Sequence, residues 1–518
     1  MKKGKRVSII SVGVVLAILI MLMTGCGSQK VTNPEASQST ANTSETSVTP
    51  ANASESEPYN IVWYAVGGPQ EDTTSVLAEV NKLIAPKMNA TLDLRYIDWG
   101  SYNDKMKMMM AAGEEFDLCF TSNWMNDFYK GVANGAYIPL DDLLNKYGQN
   151  ILSALPEKYW SNARVDGKTY AILNQQTFTS VKGLTVNADL MDKYGFNPKD
   201  IKTRKDMEPF FDKILENEKD LTPYLPEVNG IGSPFDSNTG IAYHGFNNVE
   251  IACTRTDDPT NKVVSKLDQP EFMNMLNLMR EWQKKGYIRK DAASVKDWVS
   301  EKNSGKYVCV EAGNVLPGSE ATDSIAMGFR VYNIAISPPF QGPIEASGSM
   351  VAISRTSKNP DVCMQFYDMN YSDKQLYNLL CYGIEGKHYT VIDKNTETIE
   401  PIENSGYWPN INWEIGNQFN SYFVKGQEPT VWKEMADLNA NAKTTSLFGF
   451  YFDSDPVKSQ IVQLDAIWQE YWRQLGTGSV DPVTTVETMK SRFEKAGQAE
   501  VFAELQQQIE KWKAVNGK

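Results

Sequence analysis

Strand-like and helix-like segments alternate along residues 59–518, and that alternation predicts an α/β protein with largely parallel sheets. Three observations carry the expectation. Ile61-Val62-Trp63-Tyr64-Ala65-Val66 is a near-continuous apolar run that reads as a buried strand, and Gly67-Gly68-Pro69 follows it as a turn. Asp72 is placed to cap a helix in which Val76, Leu77, Val80, Leu83 and Ile84 fall on one face. The 460 residues from Tyr59 onward are also about three times the length usual for one domain.

The remaining elements follow in order. Leu92, Leu94 and Tyr96 alternate as a second strand, and Phe116, Leu118 and Phe120 as a third. Met207, Phe210, Phe211, Ile214 and Leu215 form one helical stripe. Phe272, Met275, Leu276, Met279 and Trp282 form another, closed by Gly286. Asn359-Pro360 opens a helix with Val362, Cys363 and Phe366 inward. Ile461, Leu464, Trp468, Trp472 and Leu475 give a further stripe that stops at Gly476, and residues 483–515 are helical and charged. No fixed-period repeat is visible.

Ahead of this body lies a short leader. Lys2, Lys3, Lys5 and Arg6 precede 17 almost unbroken apolar residues, 7–23, and Met23-Thr24-Gly25-Cys26 closes the run with small residues. A cleaved secretory peptide has this layout, and the run is at the short edge for a membrane span. The small-small-Cys ending resembles the lipobox of bacterial lipoproteins, with Met23 where Leu is usual. The resemblance implies cleavage after residue 25 and a lipid on the Cys26 sulfur; an ordinary signal or an uncleaved helix is the plainer alternative. In residues 27–58 only Val31 and Val48 are strongly apolar, so this stretch is expected to be a disordered tether. Its root-mean-square reach would be about 30 Å.

The chain carries 51 basic and 64 acidic residues, net −13, and loses four of the basic ones with the leader. So acidic a surface argues against a nucleic-acid partner, which needs a basic stripe. Five cysteines remain after Cys26 with no CxxC pair, most of them in apolar runs where a thiol acts as a small buried hydrophobe. Catalytic motifs are scarce. Only two histidines exist, His244 and His388, and there is no HExxH, GxSxG, Walker loop or GxGxxG. Neither a metal site nor a cofactor is expected. Asp117, Glu311 and Glu414 remain candidates for a glycosidase-like carboxylate pair, the enzyme reading of this chain.

Aromatic residues give the stronger signal. Trp124 follows Ser122-Asn123 just after the third strand, Trp408 lies in Gly406-Tyr407-Trp408-Pro409-Asn410, and Trp413 lies between Asn412 and Glu414, with Asn417 and Gln418 soon after. A sugar presents apolar C–H faces and a rim of hydroxyls, and flat aromatic faces beside amides and carboxylates suit both. Trp282, Trp468 and Trp472, on helical stripes, are expected in the core.

Several segments together resemble a known group. Asn134-Gly135-Ala136-Tyr137-Ile138-Pro139-Leu140-Asp141, Val165-Asp166-Gly167-Lys168-Thr169-Tyr170-Ala171-Ile172 and Gly183-Leu184-Thr185-Val186-Asn187 match, in order, elements of sugar-type extracellular solute-binding proteins of ABC importers. Leu173 replaces the usual Pro. Val351-Ala352-Ile353-Ser354 with Ser357-Lys358-Asn359-Pro360 continues the match. Tyr382-Gly383-Ile384-Glu385-Gly386-Lys387-His388-Tyr389 is similar to a lipoprotein subset from Gram-positive bacteria. The resemblance implies a two-lobed periplasmic-binding-protein-like fold with a hinged cleft. It also implies a carbohydrate ligand, a membrane permease as partner, a monomer held to the outer face of the membrane by lipid, and no catalysis.

On that plan lobe one is residues 59–178 and 337–383, and lobe two is residues 179–336 and 384–518. Ligand is expected at the carboxyl ends of strands. That implicates Trp63, Gly68 and Gln70 at the first strand, Asn123 and Trp124 at the third, and Phe178 at the first crossing. Glu311 and Asn314 are expected from lobe two, and Trp408, Trp413 and Asn417 from the late loops. The alternatives are a secreted carbohydrate-active enzyme and a binder of peptides or other polar solutes.

Overall fold

The computed structural model describes residues 57–226, 243–246, 249–295, 298–312 and 314–517. The leader, Cys26 and the tether up to residue 56 lie outside them. The first sheet begins with β1 (Tyr59–Val66), α1 (Thr73–Met88), β2 (Ala90–Ile97), α2 (Tyr102–Ala112) and β3 (Leu118–Thr121). β1 lies between β2 and β3 and runs parallel to both, with Trp63 opposite Leu94 and Leu118. Strand Met350–Ile353 then pairs antiparallel with β3 and with Ile172–Leu173. A second sheet has the order Val331–Ala335, Gly183–Asn187, Tyr307–Ala312, Thr222–Leu225. Gly183–Asn187 is antiparallel to both its neighbours, while Tyr307–Ala312 and Thr222–Leu225 are parallel.

Both sheets are therefore mixed, where strand–helix alternation predicted largely parallel ones. The cause is the crossing between them. Met350–Ile353 is the first strand after the chain returns to sheet one, and Gly183–Asn187 the first after it enters sheet two. Met350–Ile353 enters between β3 and Ile172–Leu173, and Gly183–Asn187 comes to lie between Val331–Ala335 and Tyr307–Ala312, each antiparallel to both its neighbours. Alternation within a lobe reports βαβ units, but it does not report a strand that arrives from elsewhere.

Each sheet has its own apolar core. Ile61, Trp63, Val80, Leu118 and Phe366 belong to the first, and Leu184, Phe210, Trp282 and Cys309 to the second. A third core joins strand Val249–Arg255 and helix Pro270–Lys285 to the closing helices Lys458–Gly476, Pro482–Lys495 and Gln498–Asn516. The helical stripes sit as their spacing predicts. Ile461, Leu464, Trp468, Trp472 and Leu475 are buried, Gly286 ends its helix at φ 85°, and Asn359 accepts the Val362 N–H in front of Pro360. Cys119, Cys253, Cys309, Cys363 and Cys381 are free and buried.

Two local expectations change. Asp72 makes no side-chain cap on α1. Its carboxylate instead meets Lys387 Nζ at 2.9 Å and His388 Nε2 at 3.2 Å, and these contacts, Lys387 first, hold it below the ordinary aspartate range. His388 is fully buried and its Nδ1 accepts the Ile384 N–H at 2.8 Å, so the distinctive 382–389 stretch is a buckle that ties a late loop to the start of α1. Gly383 is required there: its φ is 76°, and a Cβ would come within 2.3 Å of His388 Nδ1. The second change is larger. Residues 384–424, expected in lobe two, supply Tyr389, Ile399, Tyr407, Ile411, Ile415 and Val424 to the first core. Tyr407 Oη donates to Leu380 O and Tyr422 stacks on Tyr382, so this segment folds back over the helices that precede it.

Candidate functional site

Parallel strands β2, β1 and β3 end at one edge of the first sheet, so the loops that leave them emerge side by side. After β2 comes Asp98-Trp99-Gly100-Ser101. The Asp98 carboxylate accepts the N–H groups of Gly100 and Ser101, each at 3.1 Å, which fixes the turn into α2 and leaves Trp99 outside it. After β3, Ser122 Oγ accepts the N–H groups of Trp124 at 3.2 Å and Met125 at 2.8 Å. The end of β1, between them, is met by residues 411–416, where Glu414 Oε1 accepts the Val66 N–H at 2.6 Å.

These three anchors bring three indoles together. The ring centroids of Trp99, Trp124 and Trp413 are 6.1, 6.0 and 6.3 Å apart in pairs, with interplanar angles of 12°, 21° and 32°. A linear column would make one separation the sum of the other two, so the rings instead form a nearly equilateral patch with broadly aligned faces. Phe120 stands edge-on beneath it, 6.0 Å from Trp124 and 5.7 Å from Trp413. Trp99 is 48% and Trp124 50% exposed, although each has a large apolar face to bury. Two of the indole N–H groups are satisfied by backbone carbonyls: Trp124 Nε1 donates to Gly348 O at 2.8 Å and Trp413 Nε1 to Asn410 O at 3.1 Å. The patch thus offers ring faces.

Trp124 and Trp413 were expected at the site and Trp99 was not. The signal for Trp99 was present, since it follows a strand end in the same parallel set as Trp124, but it lacks flanking amides. Asn123 is a support: its Nδ2 donates to Ile344 O at 2.7 Å and Ser347 Oγ at 3.2 Å, holding the turn on which Trp124 rests. Trp408 packs on Tyr382 at 4.9 Å, and its backbone N–H donates to Gln70 Oε1 at 2.8 Å while Gln70 Nε2 donates to Gly68 O. Gly68 itself is exposed. Asn417 Oδ1 accepts the Phe419 N–H, which occupies it in a local turn.

Other candidates are engaged in packing or in hydrogen bonds within the protein. Trp63 is fully buried, edge-to-face against Phe366 and Tyr367, on a strand flanked on both sides by β2 and β3. Phe178 is buried against Tyr159 at 4.5 Å. Glu311 is buried in a forked ion pair with Arg204 and accepts Tyr224 Oη. Asn314 Oδ1 accepts the Val181 N–H at 2.6 Å and so fastens the entry into sheet two.

The three candidate carboxylates do not pair with one another. Asp117 accepts the Val62 N–H and Glu414 the Val66 N–H, four residues further along β1. That is about 13 Å of extended strand, against roughly 5–9.5 Å between the carboxyls of a glycosidase. Glu311 belongs to the other sheet. Glu414 is buried with no cation beside it among the described residues, and burial holds its carboxyl well above the ordinary glutamate range.

Comparison with known proteins places the chain in a family. A carbohydrate ABC transporter substrate-binding protein of Streptococcus pneumoniae serotype 4 is 28% identical over 461 residues, 87% of this chain and 90% of that protein. Lipoprotein LipO of Bacillus subtilis is 22% identical over 426 residues, 75% of this chain and 80% of its own. The crystal structure of the N-glycan transport solute-binding protein NgtS of S. pneumoniae superposes with a TM-score of 0.78 at 25% identity, covering 88% of this chain and 98% of that one. Its complex with Man1GlcNAc gives 0.70 at 24%, covering 87% and 98%. The fold is thus the two-lobed periplasmic-binding-protein fold. Residues 446–514, the closing helices, match a domain of unknown function, DUF3502. Residues 81–380 match the bacterial extracellular solute-binding proteins, and the chain belongs to that family of non-catalytic transport components.

Proposed function

We propose that this protein captures a carbohydrate, in particular an oligosaccharide, and delivers it to a membrane permease of an ABC importer. The observation that carries this reading is the exposed Trp99–Trp124–Trp413 patch at the ends of β2, β1 and β3. Sugar rings lay their C–H faces on such indoles, and a patch with three adjacent faces suits more than one ring. The relatives support the class: one is described as a carbohydrate binder, and NgtS is solved with Man1GlcNAc.

In this reading lobe one is residues 57–178 and 337–424, amended by the core that residues 384–424 join. Lobe two holds residues 179–336, with the closing helices following on. The protein is a monomer anchored through lipid on Cys26 to the outer face of the membrane, as the lipobox resemblance and a lipoprotein relative suggest. One acyl chain anchors only marginally, so two or more are expected. Cys26→Ser should release the protein into the medium with its fold intact, and a variant still membrane-bound after a high-salt wash would refute the anchor.

A thermal-shift screen of glycans and peptides against the purified protein tests the ligand class, because a ligand that binds the folded state alone raises Tm. An oligosaccharide, with Man1GlcNAc as the first probe, should raise Tm and alter tryptophan fluorescence. Stabilisation by peptides alone, or hydrolysis of a glycan by the purified protein, would overturn the reading.

A further inference from the structure

Two connections, residues 174–182 and 336–349, run between the two sheets, and the stretch that leaves helix Val431–Asn441 toward the closing helices passes beside them. They are joined by backbone. Ser180 and Phe340 exchange both hydrogen bonds, at 2.9 and 3.1 Å, and Phe340–Gln341 runs parallel to Lys443–Thr444. Two buried amides then lock this short ribbon from the side. Asn439 Oδ1 accepts from Phe178 N at 2.7 Å and Thr179 Oγ1 at 3.1 Å, and its Nδ2 donates to Gln176 O at 2.7 Å. Gln341 Nε2 donates to Asn439 O at 3.0 Å and Thr179 Oγ1 at 3.3 Å, and its Oε1 accepts from Thr444 Oγ1 at 2.7 Å.

Gln341 is fully buried and Asn439 is 5% exposed, and the side chain of each is bonded to another of the three segments. An amide in that position resists independent movement of the strands it bonds, since parting them leaves buried donors and acceptors unpaired. We propose that Gln341 and Asn439 are positioning residues for ligand capture: they clasp the three segments into one hinge and so set the balance between open and closed lobes. Rotation is then confined to the few residues on either side of the clasp, as in a hinge. A ligand that needs the closed arrangement binds more weakly when the closed fraction falls. The proposal rests on the reading that ligand is held between the lobes.

The test compares Asn439→Ala and Thr179→Val with Trp472→Ala, a variant in the core of the closing helices. Thr179→Val removes the hydroxyl that both amides share with little change in shape. Asn439→Ala should weaken Man1GlcNAc binding about tenfold, and the ligand-free radius of gyration by solution scattering should rise. Thr179→Val should move both readouts the same way by less, and it decides the matter if Asn439→Ala does not fold. Trp472→Ala should lower Tm alone. If the two clasp variants also lose only Tm, keeping wild-type affinity and scattering, the amides are ordinary structure and the proposal fails. If the wild type binds no glycan, the carbohydrate reading fails, while ligand-free scattering still judges the clasp.

Discussion

Two groups of tryptophans in this molecule are built from the same ring and do opposite things. Trp468 and Trp472 stack at 5.3 Å and 17° on helix Lys458–Gly476, both buried, and neither indole N–H has a partner among the described residues. Trp99, Trp124 and Trp413 also lie with aligned faces, yet two of them are about half exposed, and the N–H groups of Trp124 and Trp413 are tied to carbonyls behind the patch. In the core pair the ring surface is used for packing and the N–H is sacrificed. In the patch the N–H fixes the ring and the surface is left to solvent. An aromatic residue is thus informative about binding when its polar atom is satisfied and its apolar face is not.

The largest effect that sharpens this comparison is on stability. Trp472→Ala should cost about 3–5 kcal/mol in denaturant unfolding, with glycan affinity of the folded protein unchanged. A selective loss of affinity would place the closing helices at the ligand. Next come the patch residues. Trp124→Ala or Trp413→Ala should cost about 2 kcal/mol of binding, roughly a thirtyfold rise in Kd by titration calorimetry, with a smaller change in Tm than Trp472→Ala. Loss of stability with affinity kept would make these rings ordinary packing.

The smallest effect concerns Glu414, behind Trp413. Burial raises its folded pKa, so folding disfavours the ionised form. Its stabilising contribution is complete below the ordinary glutamate pKa and declines as pH rises toward the folded value. Glu414→Gln, which keeps an acceptor for Val66 N–H without ionising, should therefore raise Tm at pH 8 and have little effect near pH 4. A Tm gap that is independent of pH would show that the carboxyl is not held neutral.

Much of the fold was legible because helical stripes and strand-end turns are local. Phe272 to Trp282 closed by Gly286, and Asn359-Pro360 opening its helix, needed only their own neighbours. What depends on distant partners was not legible. Nothing in Val351-Ala352-Ile353 says that it enters sheet one antiparallel, and nothing in residues 384–424 says that they return to the first core. The site divides the same way. Trp124 and Trp413 were visible from amides and carboxylates around them. Trp99 carries no such flanking amide, and its partners are two other indoles from distant loops. Trp63 and Phe178 are buried, and in sequence an aromatic at a strand or a crossing looks alike whether it faces the cleft or the core.

Trp99 therefore gives the most direct test of the central claim, that the three-indole patch is where carbohydrate binds. The measurement is the Kd of Trp99→Ala for the tightest-binding oligosaccharide, by titration calorimetry beside the wild type. The patch predicts a rise of roughly thirtyfold with Tm close to wild type, because half of this side chain is already in water. An unchanged Kd in a fully folded variant would contradict it and move the binding site elsewhere.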